Sequence, residues 1–167
     1  MKYGIYYAYW EKEWNGDYKY YIDKISKLGF DILEISCGAF SDYYTKDQEL
    51  IDIGKYAKEK GVTLTAGYGP HFNESLSSSE PNTQKQAISF WKETLRKLKL
   101  MDIHIVGGAL YGYWPVDYSK PFDKKRDLEN SIKNMKIISQ YAEEYDIMMG
   151  MEVLNRFEGY MLNTCDE

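Results

Sequence analysis

An α/β fold is the architecture this sequence predicts, because short aliphatic runs alternate with longer stretches of helical period and no disordered insert breaks the alternation. A further observation places chemistry at one edge of such an array: the last apolar run, Met148-Met149-Gly150-Met151, drives out a carboxylate, Glu152, ahead of Val153-Leu154-Asn155-Arg156-Phe157-Glu158. Parallel α/β folds carry their sites at the C-terminal ends of the strands. The 167 residues suffice for one domain with a sizeable core.

Residues 3–9 read as the first strand, and Tyr18, Tyr21, Ile22, Ile25 and Leu28 share a helical face that Gly29 ends. The aliphatic run 31–36 is the second strand, followed by a helix lined by Leu50, Ile53 and Ala57 and closed by Gly61. Residues 62–66 form the third strand, and Ile88, Trp91, Leu95 and Leu98 mark the next helix. A fourth strand covers 103–106. Leu128, Ile132, Met135, Ala142 and Tyr145, with Ile138 near the same face, give the following helix its buried stripe, and the run 148–153 is the fifth strand.

A dinucleotide-binding sheet would place a glycine-rich fingerprint after its first strand, and Tyr7-Ala8-Tyr9-Trp10-Glu11 has none. The better fit is a (β/α)₈ barrel, which needs about 250 residues, so that five of eight strands are accounted for. Residues 1–167 are accordingly expected to be the N-terminal portion of a single barrel domain. Thr164-Cys165-Asp166-Glu167 has capping-box spacing, as if another helix were about to begin. A complete small α/β domain with a polar tail is the alternative.

Charge narrows the partners. With 21 Lys and Arg against 26 Asp and Glu, the net charge of -5 supplies no attraction for phosphate, which argues against nucleic acid. Cys37 and Cys165 form neither a CxxC pair nor a secretory disulfide pattern. No apolar leader or membrane-length run is present, so no membrane contact and a cytoplasmic location are expected.

Three segments fall at the chemical edge: Gly67-Tyr68-Gly69-Pro70, Gly107-Gly108-Ala109-Leu110-Tyr111-Gly112-Tyr113-Trp114-Pro115, and Asn155-Arg156-Phe157-Glu158. Glycine either lets a ligand approach the backbone or serves a turn, and both readings stand for Gly67 and Gly69. Tyr68, Tyr111, Tyr113 and Trp114 can form an amphipathic wall suited to a small polyol.

These segments resemble the ketose 3-epimerase family, which includes D-psicose (D-allulose) and D-tagatose 3-epimerases. The resemblance rests on Met1-Lys2-Tyr3-Gly4-Ile5-Tyr6-Tyr7-Ala8-Tyr9-Trp10, Leu28-Gly29-Phe30-Asp31-Ile32-Leu33-Glu34-Ile35, Gly107-Gly108-Ala109-Leu110-Tyr111, Tyr113-Trp114-Pro115-Val116-Asp117-Tyr118 and the Glu152 to Glu158 peptide. It covers nearly the whole chain, with Gly112 replacing a common serine. The resemblance implies a sugar-isomerase-type TIM barrel with a Mn²⁺ or Co²⁺ ion, of whose four ligands only Glu152 is present. It implies epimerisation of a ketohexose (D-fructose/D-psicose) at carbon 3 through a cis-enediolate, with Glu152 exchanging the proton. By the same resemblance Glu158 holds the hydroxyl end near carbons 1 and 2, and Tyr6, Gly67, Ala109 and Trp114 shape the sugar pocket. Homodimers or homotetramers are expected of complete enzymes of this kind.

Other readings of the same residues are an ordinary barrel aromatic for Tyr6 and an ion partner of Arg156 for Glu158. A metal phosphodiesterase resembling endonuclease IV, or an inert sugar-binding or assembly fragment, is the alternative function. His104, inside the fourth strand, is expected to be a half-buried or helix-facing structural residue, and His71 a loop residue. Met135, Met148, Met149 and Met151 are expected to pack in the core or along the strand. Cys37 lacks a base that would make it a nucleophile. The open strand edges of a partial barrel would be covered by the missing part or by another chain.

Overall fold

A computed structural model, describing residues 1–14 and 16–167, contains one five-stranded sheet in the order β1-β2-β3-β4-β5. Strand order therefore follows chain order, as in a sheet on its way around a barrel, and does not reverse as in a doubly wound fold. The strands are β1 (Gly4–Tyr6), β2 (Ile32–Ser36), β3 (Thr63–Tyr68), β4 (Ile105–Gly108) and β5 (Met148–Met151). The helices are α1 (Tyr18–Leu28), the short α2 (Ala39–Asp42), α3 (Asp47–Glu59), α4 (Pro81–Leu100) and α5 (Lys124–Glu144). The chain divides into two compact units, Met1–Gly67 with Thr94–Val106, and Tyr68–Glu93 with Gly107–Glu167.

In the first unit, Asp17 caps α1 by accepting from the Tyr20 amide at 3.1 Å, and Gly29 at φ 81° ends it. Tyr18, Tyr21, Ile22 and Ile25 are buried as expected. Leu28 is exposed instead, because the chain turns away through Gly29 before any element covers the last turn. The first strand is shorter than expected: Tyr7–Tyr9 forms a 3-10 turn, held by Trp10 N–H to the Tyr7 carbonyl and by the Tyr7 hydroxyl on the Trp14 carbonyl at 2.6 Å. Strands β1, β2 and β3 pair in parallel, aligning Tyr6 with Glu34 and Glu34 with Thr65. Alternate residues Leu33, Ile35, Leu64 and Ala66 are buried on one face. Gly54 lets α3 approach the end of α4, since a Cβ there would lie 2.6 Å from the Met101 carbonyl oxygen. Arg96 clamps Asp47 through two bonds of 2.8 Å.

The fourth strand starts later than expected. Ile103 N–H closes the end of α4 on the Leu98 carbonyl, and His104 lies before β4, exposed and 3.2 Å from Asp102. A surface position therefore replaces the half-buried or helix-facing role expected of His104.

In the second unit, the buried stripe of α5 is Asp127, Ser131, Asn134, Ile138 and Ala142, one position N-terminal to much of the expected apolar set. Its polar members meet loop groups that need partners. Ser131 donates to the Tyr111 carbonyl at 2.7 Å, Asn134 to the Leu76 carbonyl at 2.8 Å, and Asp127 accepts the Tyr160 hydroxyl at 2.7 Å. Satisfying those groups rotates Ile132 to the surface and leaves Leu128, Met135 and Tyr145 half-buried. Met148 and Met151 are also exposed rather than core. With Met149, Met151 lines an open apolar groove beside Ile132, Met135, Ala142 and Ile147. Among the described residues, no helix is long and apolar enough to cross a membrane.

Candidate functional site

Strand β5 ends at Met151, so Glu152 is the first residue beyond it, exposed at the C-terminal edge. Its amide donates to the Gly108 carbonyl at 3.0 Å, and its own carbonyl accepts the Tyr111 hydroxyl at 3.0 Å. The end of β4 and the loop that follows it thus fix the backbone of one carboxylate. Burial pushes the Tyr111 phenol up to about 12, with the Glu152 charge adding to the rise.

Beyond Glu152 the chain folds back on itself. Leu154 N–H donates to Leu162, while the Asn163 amide holds the Leu154 and Gly159 carbonyls at 2.8 Å each. Asn155 accepts from the Phe157 and Glu158 amides and donates to the Glu158 carboxylate. Glu158 is half-buried and oriented by Asn155, whereas Arg156 reaches Asn163. Tyr160 anchors the loop to buried Asp127, and Tyr118 donates to the Arg156 carbonyl at 2.7 Å. Thr164 and Glu167 complete both arms of the capping box, with bonds of 3.2 and 3.3 Å.

The glycine loops of the second unit are shaped by close packing. Gly108 adopts φ 125°, and a Cβ there would sit 2.2 Å from the Tyr68 carbonyl oxygen. Trp114 occupies the space over Gly69, where a Cβ would lie 3.0 Å from its own, and the Trp114 amide donates to Pro70 at 2.8 Å. Ala109 is buried and Trp114 half-buried. Of the expected aromatic wall, Tyr68 gives its hydroxyl to Glu74 at 2.6 Å and lies against Phe90, while Tyr113 meets Phe72 edge-on. Glu74 also accepts the amide of His71, an exposed loop residue.

Tyr6 and Gly67 belong to the first unit. Tyr6 is half-buried, meets Tyr7 edge-on at 5.2 Å and pairs in register with Glu34. Burial pushes its phenol up to about 12; a Ser36 hydroxyl bond opposes the rise and the Glu34 charge adds to it. A Cβ at Gly67 would lie 3.0 Å from Glu34 Oε1. Cys37 is fully buried, and desolvation holds its thiol far above the ordinary range, so it is chemically quiet.

Among the described residues no three His, Cys, Asp or Glu side chains gather where they could hold a metal. Glu152 offers one carboxylate, fewer donors than a transition-metal site takes. The donor set among the described residues therefore does not fit a complete centre.

Sequence reasoning missed the support around these residues. Tyr111, Asn163, Asp127 and Tyr160 act through hydrogen bonds across 9 to 41 positions in the chain, separations at which no local motif exists. Asn155 was the accessible case, because Asn three residues before an acid commonly closes a turn.

The strand order and the carboxylate at the strand terminus define a class, and residues 22–167 match the xylose isomerase-like TIM barrel family, to which the chain belongs. Along all of its 167 residues the chain is 58% identical to a D-psicose 3-epimerase of Enterocloster bolteae and 47% to one of Ruminiclostridium cellulolyticum. It spans 56% of the length of each of these relatives. The crystal structure of a Clostridium cellulolyticum D-psicose 3-epimerase with D-tagatose superimposes with a TM-score of 0.96 at 47% identity, covering 99% of this chain and 57% of that one. A D-psicose 3-epimerase structure obtained in the presence of D-fructose gives 0.94 at 44% identity, covering 98% and 56%.

Proposed function

We propose that the complete protein containing this chain is a ketose 3-epimerase acting on D-fructose and D-psicose, for which this chain supplies the first part of the catalytic domain. The observation that carries the reading is Glu152, held at the end of β5 by Gly108 and Tyr111 in a chain so similar to D-psicose 3-epimerases. In this reading Glu152 exchanges the proton at carbon 3, and the substrate passes through a cis-enediolate. Glu158, oriented by Asn155, accepts hydroxyls near carbons 1 and 2. Tyr6, Gly67, Ala109 and Trp114 contact the sugar. A divalent ion, Mn²⁺ or Co²⁺, would be held by Glu152 with ligands from outside the described residues, and would stabilise negative charge on the ketose oxygens. The setting is the cytoplasm, and the complete enzyme is a homodimer or homotetramer.

Glu152→Gln in the complete gene product tests this, since it keeps the volume and removes the charged oxygen. Epimerisation should fall by orders of magnitude with the circular dichroism spectrum unchanged, and excess Mn²⁺ should not restore it. Near-normal turnover by the Gln protein would sink the reading. The 167-residue chain alone should bind Mn²⁺ weakly and turn over no ketohexose.

A further inference from the structure

We infer that Glu34 is a further substrate-binding residue, whose carboxylate, set beside the Tyr6 phenol and over the open position at Gly67, accepts a hydroxyl of the ketose. The inference rests on the epimerase reading and adds a residue to it.

Strand register makes the case. Tyr6, Glu34 and Thr65 form one row across β1, β2 and β3, and Ser36 pairs with Gly67 one step further along. Side chains in register on parallel strands share a face, so these five positions lie opposite Leu33, Ile35, Leu64 and Ala66. The apolar set is at most 5% exposed, whereas Tyr6, Glu34, Thr65 and Gly67 all remain partly open. Glu34 therefore faces away from the buried apolar layer.

Chemistry then favours a polyhydroxyl ligand. An ionised carboxylate accepts hydrogen bonds but gives none, so it suits a ligand that presents hydroxyl donors. Tyr6 stays protonated at neutral pH, as its raised phenol requires, and can donate. Carboxylate and phenol side by side match two hydroxyls of a sugar, each of which both donates and accepts. Gly67 keeps the approach clear, for a methyl group there would press on Glu34 Oε1 at 3.0 Å. A side chain serving only the sheet would gain nothing from that clearance.

The test uses the complete gene product loaded with Mn²⁺, with Glu34→Ala, Glu34→Gln and Gly67→Ala measured on D-fructose, D-psicose and monodeoxy fructoses. Loss of a charge-assisted hydrogen bond should raise KM roughly tenfold in Glu34→Ala, and less in Glu34→Gln, with kcat changed about threefold or less. Gly67→Ala should move KM in the same direction. One monodeoxy fructose should show no difference between the unmodified protein and Glu34→Ala, since it lacks the hydroxyl concerned. Unaltered KM in Glu34→Gln and Gly67→Ala, or an equal penalty on every deoxy sugar, would overturn the inference while leaving the epimerase reading intact. No turnover of any ketohexose by the unmodified protein would overturn both.

Discussion

The Tyr111 hydroxyl reaches the Glu152 carbonyl at 3.0 Å across 41 positions in the chain, tying the loop after β4 to the first residue beyond β5. Tyr111 is itself buried, and its carbonyl is held by Ser131 of α5, so the contact transmits the rigidity of a helix to the candidate proton-transfer residue. Tyr111→Phe should cost about 1 kcal/mol of stability, the ordinary net worth of such a bond. It should also lower kcat of the complete enzyme more than it raises KM, because the carboxylate is displaced while the rest of the pocket persists. Urea unfolding and steady-state kinetics check both, and unchanged kcat would remove Tyr111 from the positioning role.

Gly107 and Gly108 offer a matched pair. An added Cβ at Gly107 finds its nearest neighbour, the Gly150 carbonyl oxygen, at 3.8 Å, ordinary contact. At Gly108 it meets the Tyr68 carbonyl oxygen at 2.2 Å and a backbone at φ 125° that side chains avoid. Gly108→Ala should destabilise the fold severely, whereas Gly107→Ala should melt close to the parent. Comparable melting temperatures for the two variants would contradict the packing described here.

The alternation of strands and helices was legible because it depends on local period, and Gly29 and Gly61 closed their helices as read, at φ 81° and 71°. Glu152 was legible because a carboxylate at the end of an apolar run is a local signal. The face of α5 was not. Leu128, Ile132 and Met135 satisfy a helical apolar pattern, yet the carbonyls of Leu76 and Tyr111 and the hydroxyl of Tyr160 required polar partners on the adjacent face. Those requirements arise 20 to 58 residues away, beyond any window of periodicity. The end of β1 and the start of β4 failed for a similar reason, since the hydrogen bonds of Tyr7 and the closure of α4 by Ile103 decide them.

Alkali should unfold the protein through its tyrosines. Tyr6, Tyr21 and Tyr111 are each pushed up to about 12, with burial the leading cause, and Tyr7, Tyr18 and Tyr160 are raised further. A folded pKa above the unfolded value of about 10 favours the folded state fully below pH 10, and that contribution is lost as the pH rises toward 12. Melting temperature should therefore decline over this interval. Phenolate absorbance of the buried set should appear late, as the pH approaches 12, together with the loss of structure. A single transition near pH 10 with no loss of structure would be inconsistent with the burial of these rings.

The groove beside β5 sets the behaviour of the 167-residue chain on its own. Strand β5 is last in the sheet order, and an edge strand presents unpaired amides and carbonyls that template association. Next to that edge, Met148 is 70%, Ile132 48% and Met151 37% exposed. Met151 and Ile132 also line the apolar groove with Met135, Ala142, Ile147 and Met149. Apolar surface and open backbone thus coincide, which favours burial against another polypeptide more than either feature alone. The isolated chain should sediment as a dimer or larger species with a concentration-dependent mass. Ile132→Lys and Met151→Lys place charge in the groove without disturbing a buried contact, so each should shift the distribution toward monomer while preserving the helical circular dichroism. A monomer at every concentration would contradict this account of the surface, and so would association unaffected by either lysine.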